Sequence, residues 1–209
     1  MRRITIVQAG LRNPSTTAML ADELKVAVRD AFVLAGDEVE VTTVDIRTHA
    51  HAVMDHMLTG FPSKALEQAI DEVTGADGLV VVTPTFSASY SGMFKSFFDI
   101  LELDTLTDKP VLLAATGGTE RHSLMIEHAL RPLFTYLGAD PVRTGVFAAT
   151  ADFGDAAGSQ VADRAARAAG ELAARVVGGP VAPPATEQVP DDEVPGFTPF
   201  EQLLARVVR

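Results

Sequence analysis

Two short runs constrain this chain more than any other feature: GLVVVT at residues 78–83 and PVLLAAT at 110–116. Neither alternates apolar with polar residues. Successive side chains of a strand point to opposite faces, so a run without alternation has to be covered on both. Sheets covered on both faces are built from parallel strands joined by helices. The rest of the chain keeps to that scheme. RITIVQA (3–9) is a third β-rich run, closed by Gly10, while EVEVTTV (38–44) alternates like a half-buried edge strand. PVRTGVFA (141–148) reads as a fifth strand. Between them, apolar residues recur every three or four positions: Leu20, Leu24, Val28 and Ala31; Leu66, Ile70 and Val73; Phe94, Phe97, Phe98 and Leu101. Residues 124–137 and 163–177 read as two further helices. The pattern predicts an α/β fold, a doubly wound five-stranded parallel sheet with helices on both faces.

Composition narrows the function. The chain has no cysteine, which excludes thiol catalysis, cysteine-ligated metals and disulfides and sets a cytoplasmic location as the expectation. A net charge of −11 without a Lys/Arg cluster speaks against a nucleic-acid partner. No apolar run approaches the roughly 18 residues of a membrane span. The opening MRRITIVQAG lacks the apolar region and cleavage site of a signal peptide and reads as a strand.

Doubly wound sheets bind ligands beyond the carboxyl ends of their strands, so three loops matter. The first, GLRNPSTT (10–17), enters a helix whose first N–H groups lack internal partners. With the hydroxyls of Ser15, Thr16 and Thr17 and the guanidinium of Arg12, it reads either as an anion site or as a simple N-cap at Ser15. Bonds to a charged group contribute roughly 1.5–3 kcal/mol each, so several would outweigh the unfavourable net charge. Neither G-x-G-x-x-G nor G-x-x-x-x-G-K-[ST] occurs, which disfavours a dinucleotide fingerprint or a P-loop. In the second loop Pro84 is expected to fix a turn and Ser91 to cap a helix. Ser87, Ala88, Ser89 and Gly92 leave room for a flat ligand against the backbone, unless the segment is only a capped loop with Phe86 and Tyr90 in the core. The third loop, TGGTERH (116–122), carries two glycines suited to positive φ and bare backbone donors. No G-x-S-x-G elbow is present. The three loops together suit a ligand that brings its own chemistry, as FMN does.

TPTFSASYSGMFKSFFDIL (83–101) and TGGTERHSLMIEHALRPLF (116–134) resemble motifs of the NAD(P)H-dependent FMN reductases, more narrowly the reductase components of two-component flavin monooxygenases. The resemblance runs from Arg3 to about Val177. It implies a flavodoxin-like sheet of order 2-1-3-4-5, FMN with NADPH or NADH as hydride donor, and hydride transfer from nicotinamide C4 to flavin N5. It also implies a partner monooxygenase and a homodimer or homotetramer with the flavin near a subunit interface. Arg12, Ser15, Thr16 and Thr17 would hold the phosphate. Pro84, Thr85, Phe86 and Ser87 would line the ring edge, with Tyr90 and Ser91 near the ribityl chain. Thr116, Gly117, Gly118 and Thr119 would complete the pocket. No side-chain catalyst and no metal are expected. An FMN-containing quinone or azo-compound reductase and a non-catalytic FMN-binding electron carrier are the alternatives, although the flavodoxin loop T-x-T-G-x-T is absent.

Three features stand outside that reading. HAHAVMDH (49–56) gathers His49, His51 and His56 around Asp55 without helix-borne metal spacing and reads as a solvated or interface loop. Pro132 denies its helix a donor to the His128 carbonyl and predicts a kink or one wide turn. Residues 178–209 form a Pro-rich acidic arm ending in TPFEQLLARVVR. There Thr198, Pro199 and Glu201 make a helix start, and Phe200, Leu203, Leu204 and Val207 an apolar stripe. That tail is expected to dock on a neighbouring subunit, with its own subunit as the competing site.

Overall fold

The computed structural model describes residues 1–153 and 158–178; the expected arm and C-terminal helix lie outside them, apart from Gly178. The strands are β1 (Arg2–Gln8), β2 (Val39–Asp45), β3 (Gly78–Phe86), β4 (Ser89–Tyr90), β5 (Pro110–Gly117), β6 (Asp140–Pro141) and β7 (Val146–Ala149). The helices are α1 (Thr16–Leu34), α2 (Ala50–Thr59), α3 (Lys64–Thr74), α4 (Gly92–Asp99), α5 (Arg131–Tyr136) and α6 (Gly158–Val177). Parallel pairing runs β2-β1-β3-β5, with β6 and β7 both beyond β5. The expected order is therefore present, with the fifth strand in two pieces and β4 added as a short antiparallel partner of β3. No helix among the described residues is long and apolar enough to cross a membrane.

Continuous burial explains the two runs that lack alternation. Leu79 and Val81 of β3 face one core and Val80 and Val82 the other. The first core lies under α3, α4 and α5, the second under α1 and α6. Phe94, Phe97, Phe98 and Phe134 fill the first, with Phe98 and Phe134 edge to face at 4.9 Å and Phe94 and Phe98 tilted at 4.8 Å.

The break in the fifth strand has a polar cause. Arg131 donates to the carbonyls of Val142 and Arg143 at 2.9 and 3.0 Å, and Glu171 accepts both the N–H and the hydroxyl of Thr144 at 2.8 and 2.7 Å. Those groups are thereby taken from the ladder. The same Arg131 grips Glu127 through both carboxylate oxygens, at 2.6 and 3.0 Å. Glu127 belongs to a wide turn, Ile126–Leu130, in which Arg131 N–H reaches back five residues to Ile126 O. The chain thus accommodates Pro132 by widening the turn ahead of it. HAHAVMDH is not a loop: Ile46–His49 is a 3₁₀ turn and α2 follows, with Val53 its one fully buried apolar residue.

Phe134→Ala should destabilise the fold by about 3–5 kcal/mol, and adding Phe98→Ala should cost less than the sum, because both open one cavity. Urea unfolding of the two single variants and the double variant checks this; strictly additive losses would show that the rings are not one packed unit.

Candidate functional site

β1, β3 and β5 end at one edge of the sheet, and the three loops meet there. Gly10 N–H donates to Gln8 Oε1 at 2.8 Å and Ala9 N–H to Val82 O at 3.0 Å, which fixes the first loop against β3. A Cβ on Gly10 would collide with Ser15 Oγ. Ser15 sits in extended backbone and caps α1, its Oγ accepting from Ala18 N–H at 3.3 Å. Since the cap uses only a lone pair, the hydroxyl proton stays available for a second partner. Arg12 and Thr16 are exposed beside it. Thr17 is buried, and its hydroxyl shares a hydrogen bond with the equally buried hydroxyl of Thr116 at 2.9 Å. The side chain of Thr17 therefore ties the first loop to the third, while Arg12, Ser15 and Thr16 surround the first turn.

The second loop corrects the expected turn. Pro84 lies inside β3, which continues to Phe86. The chain reverses at Ser87 and Ala88, with φ of 49° and 64°, and returns as β4, placing Tyr90 opposite Thr85 and Ser89 opposite Phe86. A two-residue hairpin turn with positive φ at both central positions normally uses Asn and Gly there. Ser and Ala hold that backbone at roughly 1–2 kcal/mol each, the kind of local strain that gathers at ligand sites. The base of the hairpin is locked, since Ser91 N–H donates to Thr83 Oγ1 at 3.2 Å and Ser91 Oγ accepts Phe94 N–H at 3.1 Å. Tyr90 is half-buried against Phe94, whereas Phe86 stands at the tip, 46% exposed rather than in the core. Thr85 Oγ1 is buried with no partner among the described residues. Buried hydroxyls are nearly always satisfied, so this one is open to a further partner.

The third loop corrects the role of its glycines. Neither Gly117 nor Gly118 takes positive φ. Gly117 is small because a Cβ would stand 2.8 Å from Phe147 Cζ, whereas a Cβ on Gly118 would meet nothing within 4 Å. Phe147 carries no signal in the sequence, because only the pairing of β7 with β5 brings it under this loop. Beside the broken fifth strand, hydrogen bonds from Arg131 hold the Glu127 carboxyl below its ordinary range, against the opposing effect of partial burial.

The edge thus gathers hydroxyls, the free N–H groups of a helix start, a guanidinium, a rigid hairpin and a loop open above Gly118. A profile of NADPH-dependent FMN reductases matches residues 2–154. The chain belongs to that family. It is 36% identical over 151 residues to an FMN reductase (NADPH) of Pseudomonas aeruginosa, a match covering 72% of this chain and 78% of the other. With the NADH-dependent FMN reductase SfnE of Pseudomonas putida it shares 51% identity over 92 residues, 44% of this chain and 50% of the other. An oxidoreductase of Corynebacterium diphtheriae superposes with a TM-score of 0.82 at 45% identity, covering 86% of this chain and 99% of that one. The family membership makes it an NAD(P)H-dependent FMN oxidoreductase on a flavodoxin-like sheet.

Gly117→Ala should lower the thermal midpoint by pressing on Phe147, and the double change with Phe147→Leu should recover most of the loss. Gly118→Ala should stay within about 0.5 kcal/mol of the parent, as open surface positions do. Equal losses at the two glycines would show that Phe147 does not set the requirement at Gly117.

Proposed function

We propose that the strand-end loops seat FMN so that a nicotinamide can stack on its ring, and that the orphaned Thr85 hydroxyl is the observation that carries this reading most directly. Arg12, Ser15, Thr16 and the backbone N–H groups at the start of α1 hold the phosphate, with Thr17 contributing through its backbone. Pro84, Thr85, Phe86 and Ser87 lie along the ring edge, Tyr90 and Ser91 beside the ribityl chain, and Thr116, Gly117, Gly118 and Thr119 over the remaining edge. The residues fit the group: a helix N-terminus with hydroxyls and a guanidinium for an anion, space above Gly118 and Gly92, and an unmatched polar atom at Thr85.

FMN, when bound, supplies the hydride acceptor. The chain supplies alignment. The hairpin is held rigid by its base bonds, so the ring edge meets a preformed wall, and alignment of that kind is itself a large part of a rate enhancement. No side chain has to move a proton in the hydride step, which agrees with the hydroxyl and amide character of the loops. Reduced FMN passing to a partner monooxygenase, and a cytoplasmic homo-oligomer, belong to the same proposal. The oligomer is supported by Met54, Met57, Leu58 and Phe61, which expose an apolar surface on and just after α2.

Steady-state oxidation of NADH and NADPH with FMN, FAD, riboflavin and a quinone as acceptors tests the function. FMN should be the preferred acceptor; a quinone preferred over every flavin would favour a quinone reductase instead, and slow oxidation by a chain that keeps its flavin a carrier. Arg12→Ala should weaken FMN binding by about 2 kcal/mol, roughly thirtyfold, given the strength of charge-assisted bonds. Riboflavin affinity should be unchanged; equal losses for both flavins would remove Arg12 from the phosphate.

A further inference from the structure

One polar cavity adjoins the third loop but takes no part in the flavin site proposed above. It measures about 260 Å³, and Glu120, Ser123, Phe147, Asp152, Val161 and Arg164 line it. Phe147 of β7 and Val161 of α6 are almost fully buried and form an apolar floor. Glu120 and Arg164 are exposed at its walls, and Asp152 is half-buried. The Asp152 carboxylate is held at the end of β7, because its Oδ2 accepts Ala149 N–H at 2.8 Å, and a carboxylate so placed keeps lone pairs for further donors. No ion pair among the described residues involves Glu120, Asp152 or Arg164. The cavity continues the third loop both in chain and in space. Glu120 follows Thr119 directly, and the Phe147 ring is the one that forbids a Cβ on Gly117.

We infer that, given the flavin site proposed above, this cavity receives the adenosine end of the hydride donor and selects NADH over NADPH through Glu120 and Asp152. Size, position and chemistry each support that occupant. Pockets for whole ligands run to roughly 300–1,000 Å³, so about 260 Å³ suits one half of a dinucleotide. A donor whose nicotinamide lies on the flavin has its other end nearby, and the cavity shares the third loop and the Phe147 ring with that site. The apolar floor takes the face of a base, and a guanidinium takes a pyrophosphate. Carboxylates accept from ribose hydroxyls, as an acidic residue does in dinucleotide-binding folds. NADPH replaces the 2′-hydroxyl with a phosphate monoester, which carries about −1.5 to −2 charges at pH 7. Two carboxylates facing one guanidinium, in a chain of net charge −11, oppose that group.

Whole and halved donors test this on the full-length protein. With FMN as acceptor, kcat/KM for NADH should exceed that for NADPH by at least about tenfold, since NADPH sets like charges against each other. Glu120→Gln with Asp152→Asn should bring the two donors within about threefold, chiefly by raising kcat/KM for NADPH. Reduced nicotinamide mononucleotide lacks the adenosine end and serves as the reference donor. Ser123→Trp, which fills the cavity, should lower the ratio of kcat/KM for NADH to that for the mononucleotide by at least about tenfold, because the remote half then contributes no binding. Saturation-transfer NMR gives a reading apart from turnover. Adenosine 5′-phosphate should receive magnetisation from the parent protein and lose it in Ser123→Trp, and adenosine 2′,5′-bisphosphate should displace it poorly. NADPH used as well as NADH, or an unchanged donor ratio in Ser123→Trp, would overturn the inference. Reduction of FMN by neither NADH nor the mononucleotide would remove the flavin reading itself; adenosine 5′-phosphate signals that persist in Ser123→Trp would overturn the cavity assignment in either case.

Discussion

Burial on both faces of β1, β3 and β5 is the constraint on which the rest depends. Strands covered by helices on each side leave little room for polar side chains along their length. Thr83 and Thr116 mark where that changes: each is buried, each lies near the carboxyl end of its strand, and each spends its hydroxyl on a loop rather than on the core. The groups proposed for the flavin lie at or just beyond the carboxyl ends of β1, β3 and β5.

Those hydroxyls also couple loops that are distant in sequence. The Thr17–Thr116 bond joins the helix start after β1 to the loop after β5, passing the end of β3 between them. Thr83, through Ser91 N–H, closes the hairpin onto α4, and α4 delivers Phe94 to the aromatic cluster with Phe98 and Phe134. A net contribution of about 1 kcal/mol per hydrogen bond is modest. Its consequence here is geometric, since it keeps the start of α1, the β3–β4 hairpin and the loop after β5 at fixed separations. The strained Ser87–Ala88 turn is affordable because both of its flanks are held in this way.

What the sequence disclosed follows from the same physics. The parallel sheet, the three loops and the caps at Ser15 and Ser91 were legible, because unbroken apolar runs and Ser before an apolar period leave few alternatives, whereas the order of the strands followed from the family resemblance. The hairpin was not. Its turn uses Ser and Ala where the readable signal is Asn-Gly, and Pro84 suggested a turn where the strand in fact continues. α2 escaped because Met54, Met57 and Leu58 point outward, so its apolar residues do not mark a buried face. Gly117 was legible as a necessary glycine but for another reason, since Phe147 arrives from a strand that only the tertiary structure sets beside it. The fifth strand read as one piece because nothing local shows that Arg131 and Glu171 claim its central groups.

The central claim is that three separate loops form one flavin seat. Hydrogen–deuterium exchange of the full-length protein with and without saturating FMN measures it most directly. The account predicts slowed exchange in three stretches at once, residues 10–18, 83–92 and 116–122, with the amino ends of the same strands unchanged. Protection confined to one stretch, or centred elsewhere on the molecule, would contradict it.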